Sequence, residues 1–439
     1  MRKVVKFGGS SLANAQQFEK VAQIIKMDKS RCFVVPSAPG KRHLKDTKVT
    51  DLLYACYKTA VAGEDITAEI AEIRGRYEEI ITGLKMDLSL DDEFAILTEN
   101  FKNKAGEDYA ASRGEYLNGI ILAHYLEMEF VDAAEVIFFH SDGSLHTKKT
   151  NEMLAKRLKR MEHAVIPGFY GSNDAGDIIT FSRGGSDITG SLVAQGLGVD
   201  MYENWTDVSG FLAADPRIIA SPIPIETITY KELRELAYMG ATVLHDEAIF
   251  PVREAGIPIN IRNTNEPTQE GTLIVANTYR KPKYAITGIA GKEGFASITI
   301  AKAMMNMEVG FCRKVLGVFE KNNLSIEHMP SGIDTLTIFV HQEEFEEVQE
   351  NIIAEIKELV NPDTIEVETD LALVAVVGRG MKSTRGTAAR IFSALAHAHV
   401  NVKMIDQGSC ELNIIIGVSN EDFRTSIQAI YDIFITVQL

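Results

Sequence analysis

Four short stretches of the chain combine glycine with charged residues in a way that suits anion binding and phosphoryl transfer. In the first, Lys6 directly precedes Phe7, Gly8 and Gly9, and a run with helical character follows. Glycines let the backbone approach an anion closely, and the start of a helix offers free N–H groups. A lysine at the strand end could add a point charge for a moving phosphoryl group. The alternative is a plain strand-to-helix turn with a solvated lysine, and this stretch alone leaves both open.

A second stretch, SRGGSD, brings an arginine, a Gly-Gly turn and a capping pair to one predicted strand-to-helix junction. Arg183 could bind a carboxylate through two parallel hydrogen bonds. Ser186 and Asp187 are favourable N-cap residues, and a carboxylate at a helix start can also orient nearby cations. A well-capped turn is the structural alternative.

The other two stretches are weaker signals when each is taken alone. Thr206 and Asp207 end a predicted strand, and the loop after them carries Asp215 and Arg217. This loop could hold a nucleotide and its metal, although Asp-Pro often marks only a turn. Glu115 falls in the first turn of a predicted helix, where the helix dipole favours a carboxylate in any case.

Strand and helix patterns alternate from residue 1 to about residue 280. The stretch RCFVVPSAPG predicts a strand that ends in a turn, and VTDLLYACYKTAVAG predicts an amphipathic helix with a glycine stop. Such alternation predicts a parallel sheet with helices on both faces, and these folds bind ligands at the carboxyl ends of their strands. The glycine-rich stretches follow predicted strands, so the elements place them where ligands bind.

The remainder of the chain contains an internal repeat at an offset of 76 residues, in which Gly310 aligns with Gly386 and Ile338 with Ile414. Each copy has a strand, a helix, a second strand, a glycine-containing turn and a third strand. Copies of about 70 residues are too long for solenoid repeats. The repeat therefore predicts two small domains that pack together or pair between chains.

Composition restricts the class of protein further. The 439 residues suit about two or three domains, and the net charge of −16 argues against nucleic-acid binding. No apolar run is long enough to span a bilayer, and no signal peptide is recognisable. We therefore expect no membrane partner. The four cysteines are scattered without a CxxC pair, which predicts reduced, mostly buried thiols in a cytoplasmic protein.

Taken together and in this order, the stretches resemble aspartokinase, the ATP-dependent aspartate kinase of the amino-acid-kinase superfamily. The similar segments are KFGGSS, SRGE, PGFYGSN, SRGGSD and TDVSGFLAADPR, and the tail repeat is similar to paired ACT regulatory domains. The resemblance covers nearly the whole chain. It implies a three-layer α/β/α amino-acid-kinase fold with a mainly parallel central sheet in residues 1–282. It also implies two α+β ferredoxin-like ACT domains in residues 283–439, the first at about 296–368 and the second at about 369–439 plus a strand at 284–291.

The resemblance implies transfer of the ATP γ-phosphoryl group to the β-carboxylate of L-aspartate, which gives 4-phospho-L-aspartate. This is the first step of lysine, threonine and methionine biosynthesis in the family. The attacking carboxylate is already ionised at neutral pH, so no general base is required. Mg²⁺ is implied by the nucleotide.

The resemblance also assigns site residues, with no side chain assigned as a metal ligand. Lys6 would contact the transferring phosphoryl group, Arg183 would bind the substrate α-carboxylate, and Glu115 and Asp187 would hold its ammonium. The catalytic set is Lys6, Gly8, Gly9 and Asp187. The substrate set is Ser37, Thr50, Glu115, Phe169, Arg183, Ser186 and Asp187. The nucleotide set is Lys6, Gly9, Ser10, Thr206, Asp207, Leu212, Asp215, Arg217 and Thr242.

The ACT region would bind an end-product amino acid, lysine alone or with threonine, and would join chains into a homodimer or tetramer. In such a pair the first domain is often inserted in the second, so residues 284–291 should pair with the sheet of the last domain. No dinucleotide-binding segment follows the repeat, so we expect no fused homoserine dehydrogenase. The effector set is Met329, Ser331, Gly332, Ile333 and Asp334.

Some positions depart from the family pattern and leave alternatives open. Thr242 stands where relatives often carry lysine near the nucleotide, and Leu212 stands where some carry tyrosine. Residues 41–48 form a long basic insertion, either a mobile lid or a longer surface loop. The alternatives to an aspartate kinase are another acidic amino-acid kinase and a catalytically silent amino-acid sensor.

Overall fold

The computed structural model describes residues 1–182, 184–241, 246–278 and 282–436. Within these ranges, no helix combines the length and the apolar character that crossing a bilayer demands. The chain divides into a first unit, made of Met1–Phe211, Pro224–Tyr230 and Val243–Thr278, and a second unit. The second unit is made of Leu212–Ile223, Lys231–Thr242 and Tyr279–Leu439. The domain boundaries given above stay predictions.

The first unit is built on an eight-stranded sheet. Its order is β3-β4-β2-β1-β7-β9-β10-β8, and all neighbours are parallel except β9 and β10. Two further strands, β5 and β6, form an antiparallel hairpin. The strands are β1 (Lys3–Phe7), β2 (Arg31–Pro36), β3 (Glu129–Phe130), β4 (Ala164–Val165), β5 (Tyr170–Ser172), β6 (Ile178–Thr180), β7 (Met201–Thr206), β8 (Thr227–Thr229), β9 (Ile259–Asn263) and β10 (Thr272–Val275).

Helices accompany this sheet, but strand and helix do not strictly alternate, since four helices follow one another between β2 and β3. The predicted strand after residue 30 and the predicted helix with a glycine stop are both confirmed, and Gly63 ends that helix in the left-handed conformation. The helices of the first unit are α1 (Ala15–Met27), α2 (Val49–Ala62), α3 (Thr67–Gly83), α4 (Asp91–Lys102), α5 (Glu107–Leu126), α6 (Thr147–Leu158), α7 (Gly185–Leu197) and α9 (Asp246–Glu254).

The core of the first unit lies where α1 to α5 pack on the sheet. Strands β1 and β2 are buried at every position, as expected for central parallel strands covered on both faces. The largest side chains of this core come from both layers and are fully buried: Phe7, Phe18, Tyr77, Phe94, Phe101 and Trp205. The helices therefore fix the strand ends that carry the glycine-rich stretches.

Glu203 is a fully buried carboxylate inside this sheet. It accepts hydrogen bonds from Lys3 Nζ at 2.7 Å, Arg31 Nε at 2.8 Å and Trp205 Nε1 at 2.9 Å. Burial alone would raise the pKa of Glu203, but Arg31 and Lys3 lower it below its ordinary value. The ion pair therefore stabilises the fold at neutral pH, and this contribution is lost as the pH falls through the lowered pKa.

We predict that Glu203→Gln destabilises the chain by about 3–5 kcal/mol, because it leaves buried cations without their charge partner. Urea unfolding at neutral pH measures the loss. Glu129→Gln, at an exposed position of β3, should change the free energy of unfolding by less than about 0.5 kcal/mol. Equal stability of the two variants would contradict the role given to Glu203.

The second unit is built on a five-stranded sheet with the order β12-β11-β13-β15-β14, in which all neighbours are antiparallel. The strands are β11 (Gly288–Ala301), β12 (Thr335–His341), β13 (Thr364–Val377), β14 (Met404–Asp406) and β15 (Asn413–Ser419). The helices are α8 (Tyr230–Tyr238, which belongs to this unit after Tyr230), α10 (Phe311–Lys321), α11 (Gln342–Val360), α12 (Thr387–His397) and α13 (Phe423–Tyr431).

Strands β11 and β13 have 14 residues each and pair with one another from end to end, with register shifts on either side of Phe295. The first part of β11 pairs with the last part of β13, Gly288 with Val377 and Gly291 with Val374. That part of β13 also pairs with β15. The segment before the first repeat copy thus contributes a strand beside the second copy.

Candidate active site

The carboxyl ends of β1 and β7 meet in the middle of the first unit's sheet. Lys6 pairs in register with Asn204, and the Gly8 N–H donates to the Trp205 carbonyl oxygen at 3.1 Å. A Cβ at Gly8 would lie 3.6 Å from Lys6 Nζ, so the backbone at Gly8 faces the lysine ammonium. The site therefore begins with a cation beside bare backbone, which suits a phosphate group.

Gly9 is required for a close backbone approach. A Cβ there would lie 2.9 Å from the Ala38 carbonyl oxygen, closer than real Cβ contacts allow. The Gly40 N–H donates to the Gly9 carbonyl oxygen at 2.9 Å, so the loops after β1 and β2 pack backbone on backbone. Of the two predicted glycines, Gly8 has room for a Cβ, whereas Gly9 does not. Gly40 has the same requirement and was missed by the sequence analysis.

Lys6 forms an ion pair with Asp187 at the start of α7. Its Nζ lies 2.7 Å from Asp187 Oδ1, and Lys6 is 7% exposed. Asn204, which is 2% exposed, donates from Nδ2 to the same oxygen at 2.6 Å. The structure thus brings the two predicted residues together and adds a third that the sequence analysis missed. One feature of the sequence could have indicated Asn204, namely that it is a polar residue within a buried parallel strand.

Glu115 lies well inside α5, which begins at Glu107, so its predicted place in the first turn of a helix is wrong. It is a buried carboxylate with an unused oxygen. It is 6% exposed, and its Oε2 has no hydrogen-bond partner. Burial raises the pKa of Glu115 to about 8, although the Ala38 N–H and the charge of Lys6 act in the opposite direction. A buried acceptor without a partner is costly, and a bound cation would satisfy it. Glu115 therefore fits the predicted ammonium-binding role.

Phe169 adopts a strained backbone conformation beside the same helix. Its φ of 80° lies in the left-handed region, which bulky residues rarely adopt. The Phe169 N–H donates to Thr189 Oγ1 at 3.0 Å, and its carbonyl oxygen accepts from the Phe181 N–H at 2.9 Å. Its ring leaves no space for a Cβ at Gly185, the first residue of α7. These contacts hold the strained residue against the start of α7.

The remaining predicted substrate residues lie on loops and helix starts of this unit. Ser186 is buried in the first turn of α7. Ser37, after β2, donates its N–H to the Phe7 carbonyl oxygen and accepts at its own carbonyl oxygen from Asn118 Nδ2 at 2.6 Å. Thr50 is half-buried near the start of α2. Asn118 is fully buried with a partnerless Oδ1, and the sequence analysis missed it.

Part of the predicted nucleotide set lies at the carboxyl end of β7, beside Lys6 and Asp187. Thr206 ends β7, and its Oγ1 is 3.3 Å from Oδ1 of the exposed Asp207. The Thr206 carbonyl oxygen accepts from the Thr264 N–H at 2.9 Å, and Thr264 Oγ1 lies 2.7 Å from Ser11 Oγ. Ser10 is exposed at the start of this loop. Hydroxyl and carboxylate groups are therefore present at the end of β7, where they could contact a nucleotide.

Other predicted nucleotide residues lie in the second unit. Arg217 Nη2 pairs with Asp215 Oδ2 at 2.6 Å within one loop, and Leu212 is half-buried there. Arg183 and Thr242 lie outside the described residues. For these five positions the assigned roles stay predictions.

The predicted effector loop lies in the second unit between α10 and β12. The Lys302 and Met304 N–H groups donate to the carbonyl oxygen and Oδ1 of Asp334 at 2.9 and 2.8 Å. The Gly332 N–H donates to the Thr335 carbonyl oxygen at 2.7 Å, and Met329, Ser331 and Ile333 are exposed. The strand expected here in the first repeat copy is reduced to two isolated bridges, His328 with Phe339 and Ser331 with Leu336.

The fold and the cluster at the strand ends define an enzyme of the amino acid kinase family, and the model of that family matches residues 1–263. An ACT domain model matches residues 374–434. Aspartokinase 3 of Bacillus subtilis is 41% identical over 448 residues, with 98% of both chains covered. The chain therefore belongs to the aspartokinase family.

Solved structures agree with this placement and confirm the predicted fold class. Aspartate kinase of Clostridium acetobutylicum is 52% identical with a TM-score of 0.92, covering 98% of this chain and 100% of that chain. Aspartokinase III of E. coli is 25% identical in two complexes. Its R-state complex with aspartate and ADP has a TM-score of 0.71 and 99% coverage of both chains. Its T-state complex with lysine and aspartate has a TM-score of 0.73, covering 98% and 99%.

Proposed function

We propose that this chain transfers the γ-phosphoryl group of ATP to the β-carboxylate of L-aspartate and releases ADP. The carrying observation is the cluster of Lys6, Asp187 and Glu115 at the strand ends, where a cation faces bare glycine backbone and a buried carboxylate has a free oxygen. The complex of E. coli aspartokinase III with aspartate and ADP supports the same substrate pair.

In this proposal the chain positions two anions and adds few chemical groups of its own. Glu115 and Asp187 hold the substrate ammonium, Arg183 binds its α-carboxylate, and Ser37, Thr50, Phe169 and Ser186 line the pocket. The β-carboxylate oxygen forms a bond to the γ-phosphorus while the bond from phosphorus to the β–γ bridging oxygen breaks. Because the attacking carboxylate is already ionised, no proton moves at this step.

Lys6 and the backbone at Gly8 and Gly9 stabilise the charge that spreads over the transferring phosphoryl oxygens. Thr206, Asp207 and Ser10 contact the nucleotide, together with Leu212, Asp215, Arg217 and Thr242. Mg²⁺ would offset phosphate charge and take most of its ligands from the nucleotide and water. The exposed Asp207 carboxylate at the end of β7 would supply one further oxygen ligand.

A hydroxylamine-trapping assay with ATP, Mg²⁺ and aspartate tests the proposal directly, since an acyl phosphate reacts with hydroxylamine to give a hydroxamate. Hydroxamate from aspartate, greater than from glutamate or N-acetylglutamate, is expected. A larger signal from another acid would indicate another acidic amino-acid kinase. No signal from any acid with well-folded protein would indicate the amino-acid sensor.

We further propose that lysine, alone or with threonine, inhibits through the second unit. The T-state complex of E. coli aspartokinase III with lysine supports this proposal. The same assay, repeated with each amino acid, tests it. The effector would bind at Met329, Ser331, Gly332, Ile333 and Asp334.

We predict that Asp334→Asn weakens inhibition by lysine about tenfold or more, because it removes a charge facing an ammonium group. The amide oxygen can still accept from the Met304 N–H, so the loop keeps its hydrogen bond. The inhibition constant and the uninhibited rate are both measured. Asp363→Asn is the matched control, since Asp363 Oδ2 accepts from the neighbouring Ala303 N–H at 2.7 Å. Equal weakening in both variants would exclude a specific role for Asp334.

Chains would associate through the second unit. Its exposed apolar side chains include Met304, Met307, Val309 and Ile333 at 68%, 69%, 96% and 71% exposure. Such exposed apolar groups mark interaction surfaces. Sedimentation of the full chain distinguishes a dimer from a tetramer. A cytoplasmic location is supported by the four cysteines, which are all free.

A further inference from the structure

We infer that Asn204 is a positioning residue that holds the Asp187 carboxylate and, through it, the Lys6 ammonium. This inference rests on the proposed function. It adds a residue that lies outside the family-like segments named above. The Asn204 side-chain amide donates to Asp187 Oδ1. It acts through the carboxylate that the substrate and the lysine would share.

The geometry leaves one arrangement for this amide. A carboxylate only accepts hydrogen bonds, so the group 2.6 Å from Asp187 Oδ1 must be the NH₂ group of Asn204. Lys6 Nζ donates to the same oxygen at 2.7 Å. Asn204 and Lys6 are directly paired on neighbouring strands, so their side chains leave the sheet on the same face.

Two donors on Oδ1 leave Oδ2 of Asp187 available for another cation, which the proposed function supplies as the substrate ammonium. Strand β7 holds residue 187 a second time, because the Tyr202 hydroxyl donates to its main-chain carbonyl oxygen at 3.2 Å. Asp187 is thus hydrogen-bonded to β7 through both its side chain and its main chain. When Lys6 turns toward a phosphoryl group, the Asn204 amide keeps the carboxylate from following it.

The burial of Asn204 alone would also fit a space-filling residue of the sheet, and the two roles predict different couplings. A residue that acts through Asp187 loses its effect when Asp187 is changed, because energies of groups in one hydrogen-bond network are not additive. A residue that only fills space costs the same factor in either background. The test is therefore a double-mutant cycle.

We expect Asn204→Leu to lower kcat/KM for aspartate about 10- to 100-fold, the usual range for one hydrogen bond to a charged group. In an Asp187→Ala background, which leaves no acceptor for the Asn204 amide, the same change should alter kcat/KM less than about twofold. Asn204→Thr repeats the measurement with a smaller residue that also lacks the amide, in case the leucine variant does not fold. The cycle is repeated on the free energy of unfolding in urea, where coupling is also expected.

Asn260→Leu is the matched control. Asn260 lies on the neighbouring strand β9 and pairs with Glu203 of β7. Because Glu203 and Asn204 are consecutive in β7, their side chains leave the sheet on opposite faces. Asn260 therefore lies on the face opposite Asn204. It should keep kcat/KM within about twofold of the unchanged chain. Equal losses from Asn204→Leu with and without Asp187, or no loss at all, would overturn the inference while the unchanged chain still forms hydroxamate. An unchanged chain that forms none would overturn the proposed function and this inference together.

Discussion

Lys6→Ala should lower kcat about 100- to 1,000-fold while the KM for aspartate changes little, because one preorganised charge on a transition state is worth this much. Lys6 is the buried cation that faces the bare backbone of Gly8, and it forms an ion pair with Asp187. Its removal leaves the aspartate-binding groups on α5 and α7 in place. Steady-state kinetics over a range of aspartate and ATP concentrations measure the effect.

The control for this experiment is Lys26→Ala, which removes an exposed lysine near the end of α1. It should leave kcat unchanged and so separates a local effect from the change in net charge. A rise in the KM for aspartate with kcat retained in Lys6→Ala would contradict the phosphoryl-stabilising role. That result would instead make Lys6 a binding residue for the substrate.

The second large effect concerns pH and depends on Glu115. Since burial raises the pKa of Glu115 to about 8, this side chain is mostly protonated at neutral pH before substrate binds. Holding an ammonium group favours the ionised form, so binding of aspartate must release a proton below that pKa. The KM for aspartate should therefore fall by up to about tenfold per pH unit as the pH rises toward 8, and then level off.

Glu115→Gln should remove this dependence and raise the KM at the high end of the range, because a neutral amide cannot ionise. The measurement is the KM for aspartate at intervals from about pH 6 to pH 9, chosen to span the raised pKa. Glu107→Gln, an exposed position on the same helix α5, should keep the dependence of the unchanged chain. A KM for aspartate that is constant below pH 8 in the unchanged chain would contradict the role of Glu115 in binding the substrate ammonium group.

Local sequence patterns predicted the strand ends well, because they depend on neighbours in the chain. The strand before Gly8 and the glycine stop of α2 follow from periodicity and turn residues over a few positions. A helix does start within SRGGSD, but the predicted cap is wrong, because Gly184 is the N-cap and Ser186 and Asp187 lie in the first turn. The parallel sheet followed from the alternation of these elements. Its order did not, because β1 and β7 are neighbours in space but about 200 residues apart in the chain.

The residues that were missed depend on that long-range order. Asn204 is an ordinary polar residue until β7 is placed beside β1, and then it lies opposite Lys6. Gly40 follows Pro39 and suggests only a turn, yet its N–H contacts the Gly9 carbonyl oxygen across two loops. In the first repeat copy, Pro330 has no N–H to donate to a ladder, and pairing there is limited to two isolated bridges.

The long pairing of β11 with β13 has a consequence for how the chain can be divided. The second repeat copy is discontinuous, because Gly288–Gly291 precede the first copy and yet complete the sheet beside Val374–Val377. A cut after the first copy would remove the partner of this strand segment and expose a row of unpaired backbone groups. We therefore expect the two repeat copies to unfold as one cooperative unit, and a chain shortened by the second copy to leave this strand segment without its partner.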